Sequence, residues 1–190
     1  MSALRSIPSS QQPKELWANG AGTTTVLLRE PDGSDWVIRV SVARVDHEAP
    51  FSELRDTHRT LVPLDAPMAL RFPDGRELYA ARLGTFQFDG SPAPYGLLPD
   101  GPTRDFNLML RGDARGEVLP RSLVDSMVLP NEPGVRWLVY LDSGSARIGD
   151  AAGTVVALEP RDAVMAIPED GAESTILRGT GEIVLVKLYA

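Results

Sequence analysis

Four short stretches of this chain group side chains that could do chemistry. Between Leu16 and Val26, Trp17, Asn19, Gly20, Gly22 and Thr23 set an aromatic, an amide and small residues just ahead of an apolar run. Glycines permit close backbone approach, an amide both donates and accepts, and an indole supplies a wall, so these residues suit a pocket rim. They equally suit a turn feeding a strand, with Trp17 plugging a core. The Lys-Ser/Thr ending of a Walker phosphate loop is missing. In Trp36 to Val45 a period of two sends Trp36, Ile38, Val40 and Val42 one way, and Arg39, Ser41, Ala43 and Val45 the other. Arg39 thus sits among small and apolar neighbours, where a guanidinium needs a carboxylate or carbonyl partner unless the face opens to water. In Asp105 to Arg111 the same period places Asp105, Asn107, Met109 and Arg111 together. A methionine beside an acid and an amide fits a semi-polar cavity better than open solvent, and Asp105 is the expected mate of Arg39. A purely structural ion pair is the other reading. His58 and Arg59 open a strand, where His58 could bind a ligand, shuttle a proton or simply face water.

Other chemistries find less support. With two isolated histidines and no cysteine, a transition-metal site would have to be built from carboxylates, and neither a metal nor any other cofactor is expected. No Gly-x-Ser-x-Gly elbow marks a nucleophilic serine. No catalytic residue is assigned. Asp105 with His58 could act as an acid/base pair, but their spacing is not diagnostic.

The elements that must position these residues are strands. Period-two alternation recurs from Thr23 to Tyr189, punctuated by Asp32-Gly33, Asp74-Gly75, Asp89-Gly90, Asp100-Gly101 and similar turn pairs. The 190 residues include 17 glycines and 16 prolines, above the roughly 12 % of average usage. No capped apolar stripe of helical period is long enough for a full helix, although Pro50 to Arg55 and Arg121 to Met127 could each form a turn or two. The hydrophobic share of 43 % suffices for one large or two small cores. Two tandem barrels are expected, residues 1–115 carrying the pocket and 116–190 forming the second, with the first strands free to exchange between them. A net charge of −7 without a basic stripe excludes nucleic acid. The start of the chain lacks an apolar signal region, and no apolar run is long enough to span a bilayer, so a cytoplasmic protein without a membrane partner is expected. A homodimer through edge strands is an open option.

Taken in order, Trp17-Ala-Asn-Gly-Ala-Gly-Thr23, Arg39-Val-Ser-Val-Ala43, Pro50-Phe-Ser52 with His58-Arg-Thr-Leu61, and Asp105-Phe-Asn-Leu-Met109 with Arg111-Gly112 resemble the HutD/Ves family. The chain departs from the family's usual pattern at Ala18, where a lysine is usual, at Ala21, where a glycine is usual, and in lacking an acidic residue near Thr25. The resemblance implies an all-β bicupin, two jelly-roll (cupin-like) barrels with little helix. It also implies a non-enzymatic regulator associated with histidine utilisation that binds a small pathway metabolite. Urocanate, formiminoglutamate and formylglutamate are the candidates. The ligand-binding set is then Trp17, Asn19, Gly20, Arg39, Ser41, His58, Arg59, Asp105 and Asn107. The rival readings are a metal-independent isomerase or hydrolase using Asp105 or His58, and a protein-interaction module whose barrel is filled with side chains.

Overall fold

The structure, a computed structural model, describes residues 3–17, 22–149, 153–167 and 174–190. Its strands, in chain order, are β1 (Ala3–Ile7), β2 (Lys14–Leu16), β3 (Gly22–Glu30), β4 (Ile38–Val45), β5 (Ala49–Pro50), β6 (Thr57–Pro63), β7 (Met68–Arg71), β8 (Glu77–Ala80), β9 (Phe86–Asp89), β10 (Tyr95–Leu97), β11 (Thr103–Arg111), β12 (Arg115–Leu129), β13 (Val135–Gly149), β14 (Val155–Leu158), β15 (Ala163–Ile167) and β16 (Thr175–Tyr189). Among the described residues the one helical element is a 3-10 turn, Ser9–Gln11. The all-β reading holds, and the fold is of the cupin type. Neither segment suspected of helical turns is helical. Arg121 to Met127 lies inside β12 and pairs residue by residue with β16, from Arg121 opposite Ile183 to Met127 opposite Leu177, a ladder that a helix could not form. Pro50 pairs with Tyr95, and the chain then turns at Arg55 and Asp56.

The chain divides into two compact units, Pro13–Ala114 and Met1–Gln12 with Arg115–Ala190. In the second, the sheet order is β1-β15-β13-β16-β12, with β14 paired to β13. β1 lies antiparallel on β15, so the first strand of the chain joins its last third. Trp137, Val139, Leu141, Leu177, Ile183 and Leu185 form the middle of that unit's core. Ser143-Gly144-Ser145 does not end β13, because the ladder shifts register between Leu141 and Ser143 and Gly144 absorbs a φ of 92°.

The unit Pro13–Ala114 has a six-stranded sheet, β2-β3-β4-β11-β6-β9, and a four-stranded sheet, β5-β10-β7-β8. Leu61, Phe86 and Phe88 of the first pack with Met68, Leu70 and Ala80 of the second in one apolar cluster. That cluster fills one end of the space between the sheets. Beside it, polar side chains of β4, β6 and β11 line an open cavity.

Candidate functional site

Because β2, β3, β4, β11, β6 and β9 are side by side, their register arranges inward-facing residues in transverse rows. One row runs Glu15, Thr24, Ala43, Asp105, Pro63. The next runs Val26, Ser41, Asn107, Leu61, Phe86. The third runs Arg29, Arg39, Met109, Arg59, Phe88. Arg29 reaches the third row because a bulge between Val26 and Leu28 inserts Leu27 and reverses the facing of the residues after it. Gly22 lets β3 begin here, since a Cβ at that position would collide with the carbonyl oxygen of Arg44.

These rows wall a cavity of about 490 Å³ lined by Glu15, Leu16, Trp17, Thr24, Arg39, Ser41, Ala43, Pro50, Phe51, Ser52, Leu54, Arg59, Asp105, Asn107 and Met109. The barrel is therefore hollow beside Arg39. At the bottom, Arg59 Nη2 donates to Asn107 Oδ1 at 2.7 Å, and Asn107 Nδ2 donates to Asp105 Oδ1. The Arg59 guanidinium lies 4.9 Å from the ring centre of Phe51 and 5.2 Å from that of Phe88, so aromatic faces replace the water it has lost. Burial pushes the Asp105 carboxyl up to about 7, against the pull of Arg59 and of the Asn107 hydrogen bond. Burial also pushes Arg59 down to about 10, with Asp105 opposing and Arg39 adding to the effect. Nearer the mouth, Glu15 bridges two cations, accepting from Arg29 Nη2 at 2.6 Å and Arg39 Nη2 at 2.9 Å. Trp17 Nε1 donates to Thr24 Oγ1 at 2.8 Å, which fixes the indole at the rim.

Four buried polar atoms on lining residues have no partner among the described residues: Arg39 Nε, Ser41 Oγ, Arg59 Nε and Asp105 Oδ2. Polar atoms cut off from water without a hydrogen bond are costly, and native proteins keep few of them. Here they gather in one cavity. Together they offer two guanidinium donors, a hydroxyl able to donate or accept, and a carboxyl that donates when protonated.

The structure brings together Trp17, Arg39, Ser41, Arg59, Asp105 and Asn107 around the cavity. Asn19 and Gly20 lie outside the described residues. His58 is not part of the lining. It precedes Arg59 in the same strand, so it faces the opposite way, half exposed, with Nδ1 3.3 Å from Asp89 Oδ1. The expected pairing of Arg39 with Asp105 is replaced by two separate arrangements, Arg39 with Glu15 and Arg59 through Asn107 to Asp105. Arg111 leaves the polar row at the strand's end, stacking 3.6 Å above the centre of the Trp36 ring and donating to Thr57 Oγ1 at 3.1 Å. Sequence reasoning missed Glu15, Arg29 and Thr24. Glu15 stands two residues before Trp17, and alternation alone would have placed it on the same face. Among the described residues no group of three or more carboxylate, histidine or cysteine side chains is placed to hold a metal ion, and no helix is long and apolar enough to cross a membrane.

The HutD family model matches residues 9–185. Protein PA5104 of Pseudomonas aeruginosa PAO1 is similar in structure, with a TM-score of 0.89 at 23 % identity over 100 % of both chains. HutD from Pseudomonas fluorescens SBW25 superposes with a TM-score of 0.80 at 20 % identity over 98 % of both chains. The bacterial pirin YhhW from Escherichia coli, solved in complex with nickel(II), reaches 0.71 at 9 % identity over 98 % of this chain and 99 % of its own. No curated protein matches the chain in sequence.

Proposed function

The chain belongs to the HutD family, and on that footing we propose that it is a non-enzymatic regulatory protein whose cavity binds a small carboxylated metabolite and so modulates histidine utilisation. The observation that carries this reading is the set of partnerless buried atoms on Arg39, Ser41, Arg59 and Asp105. Two guanidiniums favour an anion, because a planar fork of N–H donors matches the two oxygens of a carboxylate. Ser41 and Asp105 suit a second polar group further in, while Trp17, Phe51 and Leu54 face the ligand's apolar or planar part. A cavity of about 490 Å³ accommodates molecules of the size of urocanate, formiminoglutamate or formylglutamate.

A thermal-shift panel of these three compounds tests the reading. Ligand at about 100 times its Kd should add roughly 2.7 kcal/mol, raising Tm by roughly 5–10 °C for a chain this long. The absence of any shift, with Arg39→Ala behaving as wild type, would overturn it.

One observation favours a second reading, a metal-independent isomerase or hydrolase. Asp105 is buried beside the cavity with its carboxyl pushed up to about 7, the range suited to a general acid or base. Turnover of a panel compound that survives chelator and disappears in Asp105→Asn would favour it over simple binding.

A further inference from the structure

Glu15 already occupies the place an anionic ligand would need. Its two oxygens span the Nη2 atoms of Arg29 and Arg39, side chains that are neighbours in register. A guanidinium presents two two-point edges to a carboxylate, Nη1 with Nη2 at its end and Nε with Nη2 along its side, and both require Nη2. In each arginine Nη2 is the atom Glu15 holds, and in each the buried Nε beside it is partnerless. Among the described residues Arg39 Nη1 has only the thioether sulfur of Met109, at 3.9 Å. Each arginine is thus left with half of a side-on fork.

The two partners differ in freedom. Arg39 is set in the wall of the barrel with 15 % of its side chain exposed, whereas Glu15 is 45 % exposed on β2, a three-residue strand exposed along its length and paired only with β3. Glu15 can therefore leave Arg39 without uncovering core, and its second oxygen can stay on Arg29.

We infer that Glu15 is an internal place-holder that sets the selectivity of the site: a ligand carboxylate binds by taking Arg39 Nη2 from it and pairing with the partnerless Nε beside it, while a neutral ligand leaves the contact between Glu15 and Arg39 in place. This rests on the anion-binding reading of the cavity. It makes Glu15 a positioning and selectivity residue, one that opposes anions able to make only a single-point contact. A ligand with a two-point carboxylate recovers both the Nη2 contact and the orphaned Nε.

Isothermal titration calorimetry on wild type, Glu15→Gln and Glu15→Ala tests this, using urocanate, N-formyl-L-glutamate, glutarate and the uncharged glutaramide as probes. The glutamine variant keeps the size of the side chain and one acceptor but loses the charge. Carboxylate probes are expected to bind both variants roughly two- to fivefold more tightly than wild type, the scale of one partly exposed ion pair, while glutaramide gains nothing. A merely structural Glu15 would weaken all probes alike. Wild-type binding of a carboxylate that is unchanged or weaker in both variants overturns the place-holder and leaves the anion pocket standing. No binding of any carboxylate to any of the three proteins overturns the pocket and the place-holder together.

Discussion

Asn107 presents its oxygen to Arg59 and its nitrogen to Asp105. Nη2 of the arginine donates to Oδ1 of the amide at 2.7 Å, and Nδ2 of the amide then donates to Oδ1 of the acid. The arginine fixes which way round the amide sits, since a guanidinium can only donate. With one oxygen of Asp105 taken, the other is left at the cavity without a partner. The three buried side chains therefore form a directed chain that leaves its spare capacity at the cavity.

That chain depends on its cation. Arg59→Met keeps an unbranched side chain between Phe51 and Phe88 but leaves Asn107 Oδ1 and the Asp105 carboxyl without their donor and countercharge. Urea unfolding is expected to show a loss of about 2–4 kcal/mol, the range for breaking a buried charged contact on one side only. Adding Asp105→Asn to Arg59→Met should restore part of it. A single variant within about 0.5 kcal/mol of wild type, the scale of an ordinary surface change, would deny the chain a structural role.

Asp105 should make stability depend on pH in a defined window. Burial raises its carboxyl from the ordinary 3.8 to about 7. Between these values the folded protein keeps a proton that the unfolded chain has lost. This group's contribution is thus full at low pH and declines as pH rises toward 7, by at most about 1.4 kcal/mol per pH unit. The difference in unfolding free energy between wild type and Asp105→Asn, measured from pH 4 to 8, should fall with pH and level off above 7. A difference flat across that range would contradict the shift.

Arg39 should matter to ligand far more than to folding. Among the described residues its side chain holds only the partly exposed Glu15 and the Met109 sulfur, so Arg39→Ala should cost little stability. Removing a charged donor from a buried contact costs about 1.5–3 kcal/mol, so carboxylate affinity should fall roughly 10- to 100-fold in calorimetry. Unaltered affinity would relocate the site.

Trp17 offers an optical readout. Its ring lines the cavity and its Nε1 is tied to Thr24, so a bound ligand should change its emission, while Trp36 and Trp137 do not line the cavity. Titration of urocanate or N-formyl-L-glutamate should shift or quench fluorescence in wild type, and the change should vanish in Trp17→Phe. A signal that persists unchanged in that variant would place the ligand elsewhere.

Much of this was legible before the structure. The strand character of β4 and β11 and the facing of Arg39, Ser41, Asp105 and Asn107 follow from a period of two. That period is set by each strand's own pleat and survives whatever the neighbours do. The same rule, applied to the consecutive pair His58 and Arg59, would have turned His58 away from the cavity. The length of β12 was less legible, because within Arg121 to Met127 only Leu123 is buried, so no alternation marks the segment as a strand.

Pairing across the sheet was not contained in local pattern. Whether Arg39 meets Asp105 or Glu15 depends on which strand lies beside which and in what register, and those are fixed by contacts between residues far apart in the chain. The bulge at Leu27 is of the same kind: a single unpaired residue turns Arg29 inward, and nothing in Val26-Leu27-Leu28 announces it. The sequence by itself determined which side chains could share a wall, because the pleat is a property of each strand alone. Tertiary structure decided which charges neutralise one another and that the space between them stays open, because both depend on the distances between strands brought together only by folding.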